Sequence, residues 1–129
     1  MVDPSKLKRL KIFLKKEGKI LSPDDLEKLS ENLQEESLKN FLTGLKHITE
    51  KHFTEAIKWF QLSDCKDVPL IIALLSLKVG DTFLYEEYIN EPYENECLKR
   101  LEIDIYCKLL DKEILLTKNN LKQIIDLLK

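Results

Sequence analysis

The sequence predicts an all-α protein, and three observations support that prediction. The chain has 129 residues, of which 43% are hydrophobic and 34% are charged, a combination typical of helices with one buried and one solvated face. Three glycines and four prolines interrupt it, which favours long regular elements over a fold with many turns. Apolar residues recur at helical spacing, and we find no alternation long enough to predict a half-buried strand.

Capping residues and apolar periodicity set the boundaries of the predicted helices. Ser22, followed by a proline and two aspartates, is typical of a helix start, and Pro69 suits another. Gly18 and Gly80 suit the left-handed conformation that ends a helix. We therefore predict one domain of four antiparallel helix pairs, with about eight helices at roughly 4–17, 23–33, 36–50, 53–63, 69–79, 82–90, 93–111 and 117–128.

The helix predicted at 69–79 differs from the others in its apolar pattern. Its residues from Leu70 to Leu77 are apolar on almost every side, so we expect this helix to be the most buried. The same run is much shorter than the roughly 20 apolar residues that cross a bilayer. The sequence therefore predicts no transmembrane segment.

The three cysteines predict a reducing environment. Cys65, Cys97 and Cys107 show no C-x-x-C spacing. If residues 97 and 107 share a helix, they lie about 15 Å apart, which is too far for a disulfide. We expect free thiols, and because the N-terminal segment lacks the apolar core of a secretory signal, we expect a cytoplasmic protein.

Four residues have the spacing of a helix–turn–helix repeat. Gly44 lets a second helix approach its backbone, Ala56 offers a small facing surface, Phe60 fills the adjoining groove, and Pro69 begins the next unit. On these residues, 37–70 resembles one tetratricopeptide repeat. The resemblance implies a solenoid of stacked helix pairs, in which the pairs at 1–36 and 71–129 are degenerate.

The resemblance also implies a concave face that binds a protein or peptide. Mapped onto this chain, that face and the neighbouring tryptophan give the candidate partner-binding groove Leu38, Phe41, Leu45, Thr49 and Trp59. Two alternatives stay open: the first four residues belong to the core, and the tryptophan joins neighbouring helix pairs. The predicted function is a non-catalytic protein- or peptide-binding module whose partner the sequence does not identify, and self-association stays open.

The first 20 residues carry a concentration of positive charge. They hold seven basic and two acidic residues, although the chain as a whole has a net charge of −2. On a helix, one face would carry Lys8, Arg9, Lys11, Lys15 and Lys16. This face gives the alternative function, binding of nucleic acid or an anionic surface, while a capping helix is the simpler explanation. Aromatic residues do not alternate with these lysines, which argues against nucleic acid.

The sequence shows no catalytic motif. His47 and His52 are five residues apart, about 140° around a helix, so we do not expect them to bind one metal ion. No zinc-binding spacing of cysteine and histidine and no phosphate-binding glycine loop is present. We therefore expect no enzyme activity, no metal and no cofactor.

Overall fold

The computed structural model describes residues 2–129, which form eight helices and four strands. In chain order the elements are α1 (Pro4–Arg9), β1 (Lys11–Lys16), β2 (Lys19–Ile20), α2 (Pro23–Ser30), α3 (Glu36–Thr49), α4 (Phe53–Gln61), α5 (Val68–Val79), α6 (Thr82–Ile89), α7 (Cys97–Leu101), β3 (Asp104–Leu109), β4 (Lys112–Leu115) and α8 (Lys118–Leu128).

The strands form one antiparallel sheet in the order β2-β1-β3-β4. Glu17 and Gly18 connect β1 to β2 with φ angles of 52° and 77°, the positive pair that a type I′ hairpin turn requires. The central pairing joins the two ends of the chain, because β1 lies beside β3 with Lys11 opposite Lys108. The sheet is therefore assembled from segments that are remote in sequence.

The all-α prediction is wrong, and so is a solenoid made only of helix pairs. The predicted helix 4–17 ends at Arg9 and continues as β1, and the predicted helix 93–111 is replaced by α7 and β3. In both strands alternate side chains face the core, as Ile12 and Leu14 do in β1. Such a short alternation also fits helical spacing, so the local sequence does not distinguish a strand from a helix here. The pairing of β1 with β3, which is remote in sequence, stabilises the strand.

The helical part of the molecule agrees more closely with the prediction from the sequence. Helices α2 to α6 and α8 begin within one residue of their predicted starts, and α5 buries nine of its twelve residues. Helices α3 and α4 pack against each other, and Gly44 lies against the ring of Phe60. The resemblance of 37–70 to a tetratricopeptide repeat stays a prediction.

A disulfide joins Cys65 to Cys97, so the expectation of free thiols is wrong for this pair; Cys107 is a free, buried thiol in β3. Helical spacing bears only on the pair Cys97 and Cys107, and Cys65 meets Cys97 from a different segment of the chain. Next to the disulfide, the fully buried carboxylate of Asp67 accepts hydrogen bonds from the backbone N–H groups of Glu96, Cys97 and Leu98 at 2.8–3.0 Å. Together these contacts fix the start of α7 to the start of α5.

One hydrophobic core joins the helices and the inner face of the sheet. It includes Leu14 of β1, Ile105 of β3, Phe41 of α3 and Leu128 of α8, each at most 1% exposed. On the other face of the sheet, Phe13 and Tyr106 are partly buried and Lys11 and Lys108 are exposed. Within residues 2–129, the helices fall short of the length and apolar character that a bilayer crossing requires.

Candidate functional site

A groove of about 780 Å³ lies between β1 and the turn that joins α3 to α4. Its apolar floor comes from both elements and from the hairpin turns, and consists of Leu10, Ile12, Phe13, Leu14, Ile20, Leu21, Ile48, Phe53 and Leu110. The two walls belong to different parts of the fold, one to the sheet and one to the helices. The groove therefore exists only because the folded chain brings these two parts together.

The sheet wall of the groove is an open strand edge. Strand β1 pairs with β3 along Lys11–Lys15, but β2 covers its other edge only at Lys15 and Lys16. The N–H of Leu21 donates to the C=O of Leu14 at 2.9 Å, so Leu14 directs its backbone groups toward the β2 side. Because alternate residues of a strand direct their backbone groups to the same side, Ile12 presents its N–H and C=O at the open edge.

Positive charge dominates the walls of the groove. One acidic side chain, Glu113, contributes to the lining, whereas seven basic side chains do so: Lys8, Arg9, Lys11, Lys15, Lys51, Lys78 and Lys108. Lys11 and Lys108 are directly opposite each other on neighbouring strands, where like charges repel. An anionic ligand in the groove would relieve that repulsion.

The acidic side chain of the groove is already paired. Glu113 accepts a hydrogen bond from Nζ of Lys15 at 2.6 Å, and this bond is the main reason that the pKa of Lys15 is raised. The same ammonium lies 5.6 Å from the ring centroid of Phe13 and 4.9 Å from that of Tyr106, and the two rings are stacked. The outer face of the sheet thus holds an ordered aromatic pair beneath a lysine.

Lys78 of α5 brings a partly desolvated charge to the helical side of the groove. Burial lowers the pKa of Lys78, and the positive charge of Lys51 lowers it further. Its Nζ donates to the C=O groups of Leu7 at 2.6 Å and Lys8 at 3.3 Å, near the carbonyl end of α1, where a cation is favoured. A negative charge placed beside Lys78 would counter the effect of Lys51.

The predicted basic face is divided by the fold. Lys8, Arg9, Lys11 and Lys15 line the groove, but they belong to α1 and β1 and not to one helix. Lys16 points elsewhere, because its Nζ donates to the C=O of Leu101. Two aromatic side chains do lie among these basic residues, Phe13 of β1 and Phe53 of α4.

The predicted partner-binding groove lies mostly inside the molecule. Leu38, Phe41 and Leu45 are at most 3% exposed and belong to the hydrophobic core, so these side chains offer no surface to a partner. Thr49 lines the basic groove, and Trp59 is partly buried on α4. Of the predicted set, Thr49 alone lines the groove described above.

Sequence reasoning missed most of the residues of the groove, and four of them carry its charge and aromatic surface: Lys51, Phe53, Lys78 and Lys108. They come from three separate segments, and no local motif connects them. The available signal was the alternation in 11–15 and 104–109, which would have placed Lys11 and Lys108 on one face of a sheet. Nothing in the sequence would have placed Lys78 beside them.

Two groups of side chains have the composition of metal ligands among residues 2–129. One contains Cys65, Asp67, Glu96 and Cys97, but its sulfurs are bonded to each other and Asp67 accepts three backbone hydrogen bonds. The other consists of His47, Glu50 and His52 in the turn beside the groove.

No protein-family model matches the chain, and comparisons with curated proteins and with solved structures give no match.

Proposed function

We propose that this protein is a non-catalytic module that binds an extended, acidic segment of another protein in the basic groove. The observation that carries the proposal is the open edge of β1 within a groove lined by seven basic side chains and one acidic side chain. An added strand would pair with the backbone of Ile12, as peptides do when they extend a sheet.

The lining of the groove favours a particular peptide pattern. Successive side chains of a strand point to opposite sides, so one set would contact the apolar floor and the other the basic walls. A segment in which acidic and apolar residues alternate satisfies both surfaces. Lysines at an open edge also discourage pairing with a second copy of the same chain, which favours a partner of opposite charge.

Single-stranded nucleic acid is the second candidate, because Phe13 and Phe53 lie among the basic residues. Bases can stack on such rings while lysines contact phosphates. However, Phe13 already stacks on Tyr106 and lies near Nζ of Lys15, and the apolar floor has no role in contacting phosphates. We therefore rank the peptide above nucleic acid.

The cytoplasmic location stays a prediction. The disulfide between Cys65 and Cys97 removes the support that free thiols would have given it.

The test is a fluorescence anisotropy titration with a labelled peptide of about eight residues that alternates glutamate and valine. We expect saturable binding, whereas a peptide that alternates lysine and valine should not bind. The double variant Lys11→Glu/Lys108→Glu keeps a like-charged pair across the strands but reverses the charge of the groove. It should weaken binding by at least about tenfold, or about 1.4 kcal/mol.

Lys122→Glu is the matched control, because Lys122 is exposed on α8 and does not line the groove. This variant should bind the acidic peptide like the wild type. Equal affinity of the double variant and the control for the peptide would contradict the proposal. Tighter binding of a short oligothymidylate than of the peptide, with steep loss at high salt, would replace it with the nucleic-acid function.

A further inference from the structure

The turn between α3 and α4 brings His47, Glu50 and His52 together. Helix α3 ends at Thr49, and Lys51 adopts a left-handed conformation with φ of 63° that reverses the chain. The N–H of His52 then donates to the C=O of His47 at 2.9 Å, which closes the turn. The separation expected from a continuous helix therefore does not apply to the two histidines.

The three side chains offer their ligand atoms to one point in space. One nitrogen or oxygen from each residue lies within 4.8 Å of the others. Oε1 of Glu50 is 3.6 Å from Nδ1 of His47 and 3.9 Å from Nδ1 of His52. Both distances are too long for hydrogen bonds. Metal bonds of about 2.1 Å would place tetrahedral ligands about 3.4 Å apart, close to the two distances from Oε1 of Glu50.

A second observation points to a cation at this position. Nδ1 of His47 is buried and makes no hydrogen bond within residues 2–129, although a buried polar atom normally has a partner. Oε1 of Glu50 lies 3.6 Å from this nitrogen. An unprotonated Nδ1 and a carboxylate oxygen are both acceptors, so their proximity is unfavourable, and a metal ion between the two groups would reverse this.

We propose that His47, Glu50 and His52 form a binding site for one divalent metal ion of the zinc class. Two imidazoles and a carboxylate suit Zn²⁺ and neighbouring first-row metals, and three protein ligands leave a further position for water. One cation near Glu50, Lys46, is already paired with Glu27 at 2.6 Å, and Lys51 belongs to the same turn. The site is independent of the peptide proposed for the groove, although both share this turn.

The test uses oxidised, untagged protein, because the chain contains two histidines and an affinity tag would add others. Calorimetric titration with Zn²⁺ should show one equivalent bound, and Co²⁺ should give the absorption bands of a protein-bound ion. His52→Asn should fold normally, since His52 is 59% exposed. Loss of this direct ligand should weaken Zn²⁺ binding by more than the roughly 10- to 100-fold that follows loss of a second-shell partner.

Glu50→Gln and Glu55→Gln form a matched pair of variants, because Glu55 is an exposed glutamate of α4 outside the cluster. Glu50→Gln should weaken Zn²⁺ binding, and Glu55→Gln should leave it unchanged. Zn²⁺ should also raise the melting temperature of the wild type but not that of His52→Asn. Absence of stoichiometric binding, or equal affinity of His52→Asn and the wild type, would overturn the proposal.

Discussion

The helical part of the molecule and its sheet differ in how their contacts are distributed along the chain. Helices α3, α4 and α5 follow one another in sequence and pack in that order, and their contact includes the rings of Phe41 and Phe60 at 5.4 Å. The sheet instead pairs β1 with β3, across most of the chain. The helical part thus forms a core from local neighbours, and the sheet joins the two ends of the chain.

The two parts also differ in what they present to solvent. Helix α5 is buried on almost every side, whereas the sheet keeps Lys11, Lys15 and Lys108 at its outer surface, together with the open edge of β1. The groove forms where the turn after α3 faces that edge. The sheet thus contributes the open strand edge and three of the seven basic side chains of the groove, and the helices with the turn after α3 contribute the other four.

The largest expected effect concerns the link between the two parts. The Cys65–Cys97 disulfide fixes the chain just before β3 to the start of α5, across 32 residues of sequence. Its loss should cost about 3–4 kcal/mol by the loop-entropy estimate. Urea unfolding with and without a reductant measures this cost. The double variant Cys65→Ala/Cys97→Ala should show no response to reductant, and an equal response in both proteins would mean that another thiol is responsible.

A smaller effect is expected inside the helical part, where Gly44 meets Phe60. A β-carbon at Gly44 would lie 2.7 Å from Cε1 of Phe60, and that ring is fully buried. Gly44→Leu, and likewise Ala56→Leu, should therefore destabilise the protein by about 1–3 kcal/mol through overpacking. Gly44→Ala should gain nothing from its higher helix propensity, because its methyl group meets the same ring.

Combining Gly44→Ala with Phe60→Leu distinguishes this contact from other causes. The smaller leucine provides room for the new methyl group, so the double variant should be more stable than the sum of the two single changes predicts. Chemical unfolding of the four proteins gives this coupling. Additive effects, or a Gly44→Ala variant more stable than the wild type, would show that the two residues are not in close contact.

The smallest expected changes in stability come from substituting two glycines, one in each part of the molecule. Gly18 in the β1–β2 turn and Gly80 at the end of α5 have φ of 77° and 79°, and a β-carbon at either position would meet no atom within 4 Å. Alanine should therefore cost about 1 kcal/mol at each site through backbone strain alone. Gly18→Ala should also weaken peptide binding, because it disturbs the hairpin beside the groove, and Gly80→Ala should not. Anisotropy titrations of both variants measure the difference.

Sequence reasoning succeeded where the structural signal was local. The cap at Ser22, the apolar run in α5 and the packing position at Gly44 each depend on residues within a few turns. It failed at β1 and β3, because a strand of six residues is stabilised by a partner that the local pattern does not reveal. The basic residues before residue 16 were found, but they were assigned to a helix face.

The candidate sites show the same limit. Lys78 reaches the groove from α5, and Cys65 meets Cys97 through the folding of intervening helices; neither contact has a sequence spacing that predicts it. The separation of the two histidines was predicted wrongly for a different reason. His47 lies in α3 and His52 follows it, but the chain turns at Lys51, which has a positive φ. Lysine is not a residue type that predicts a left-handed conformation.

Amide hydrogen exchange at Ile12 would report whether an acidic peptide binds as an added strand along β1. Ile12 directs its N–H to the open edge, whereas those of Lys11 and Phe13 point toward β3 and serve as internal controls. With the glutamate–valine peptide at saturation, we predict that exchange at Ile12 slows strongly while the two controls change little. Unchanged exchange at Ile12 in the saturated complex would contradict strand addition.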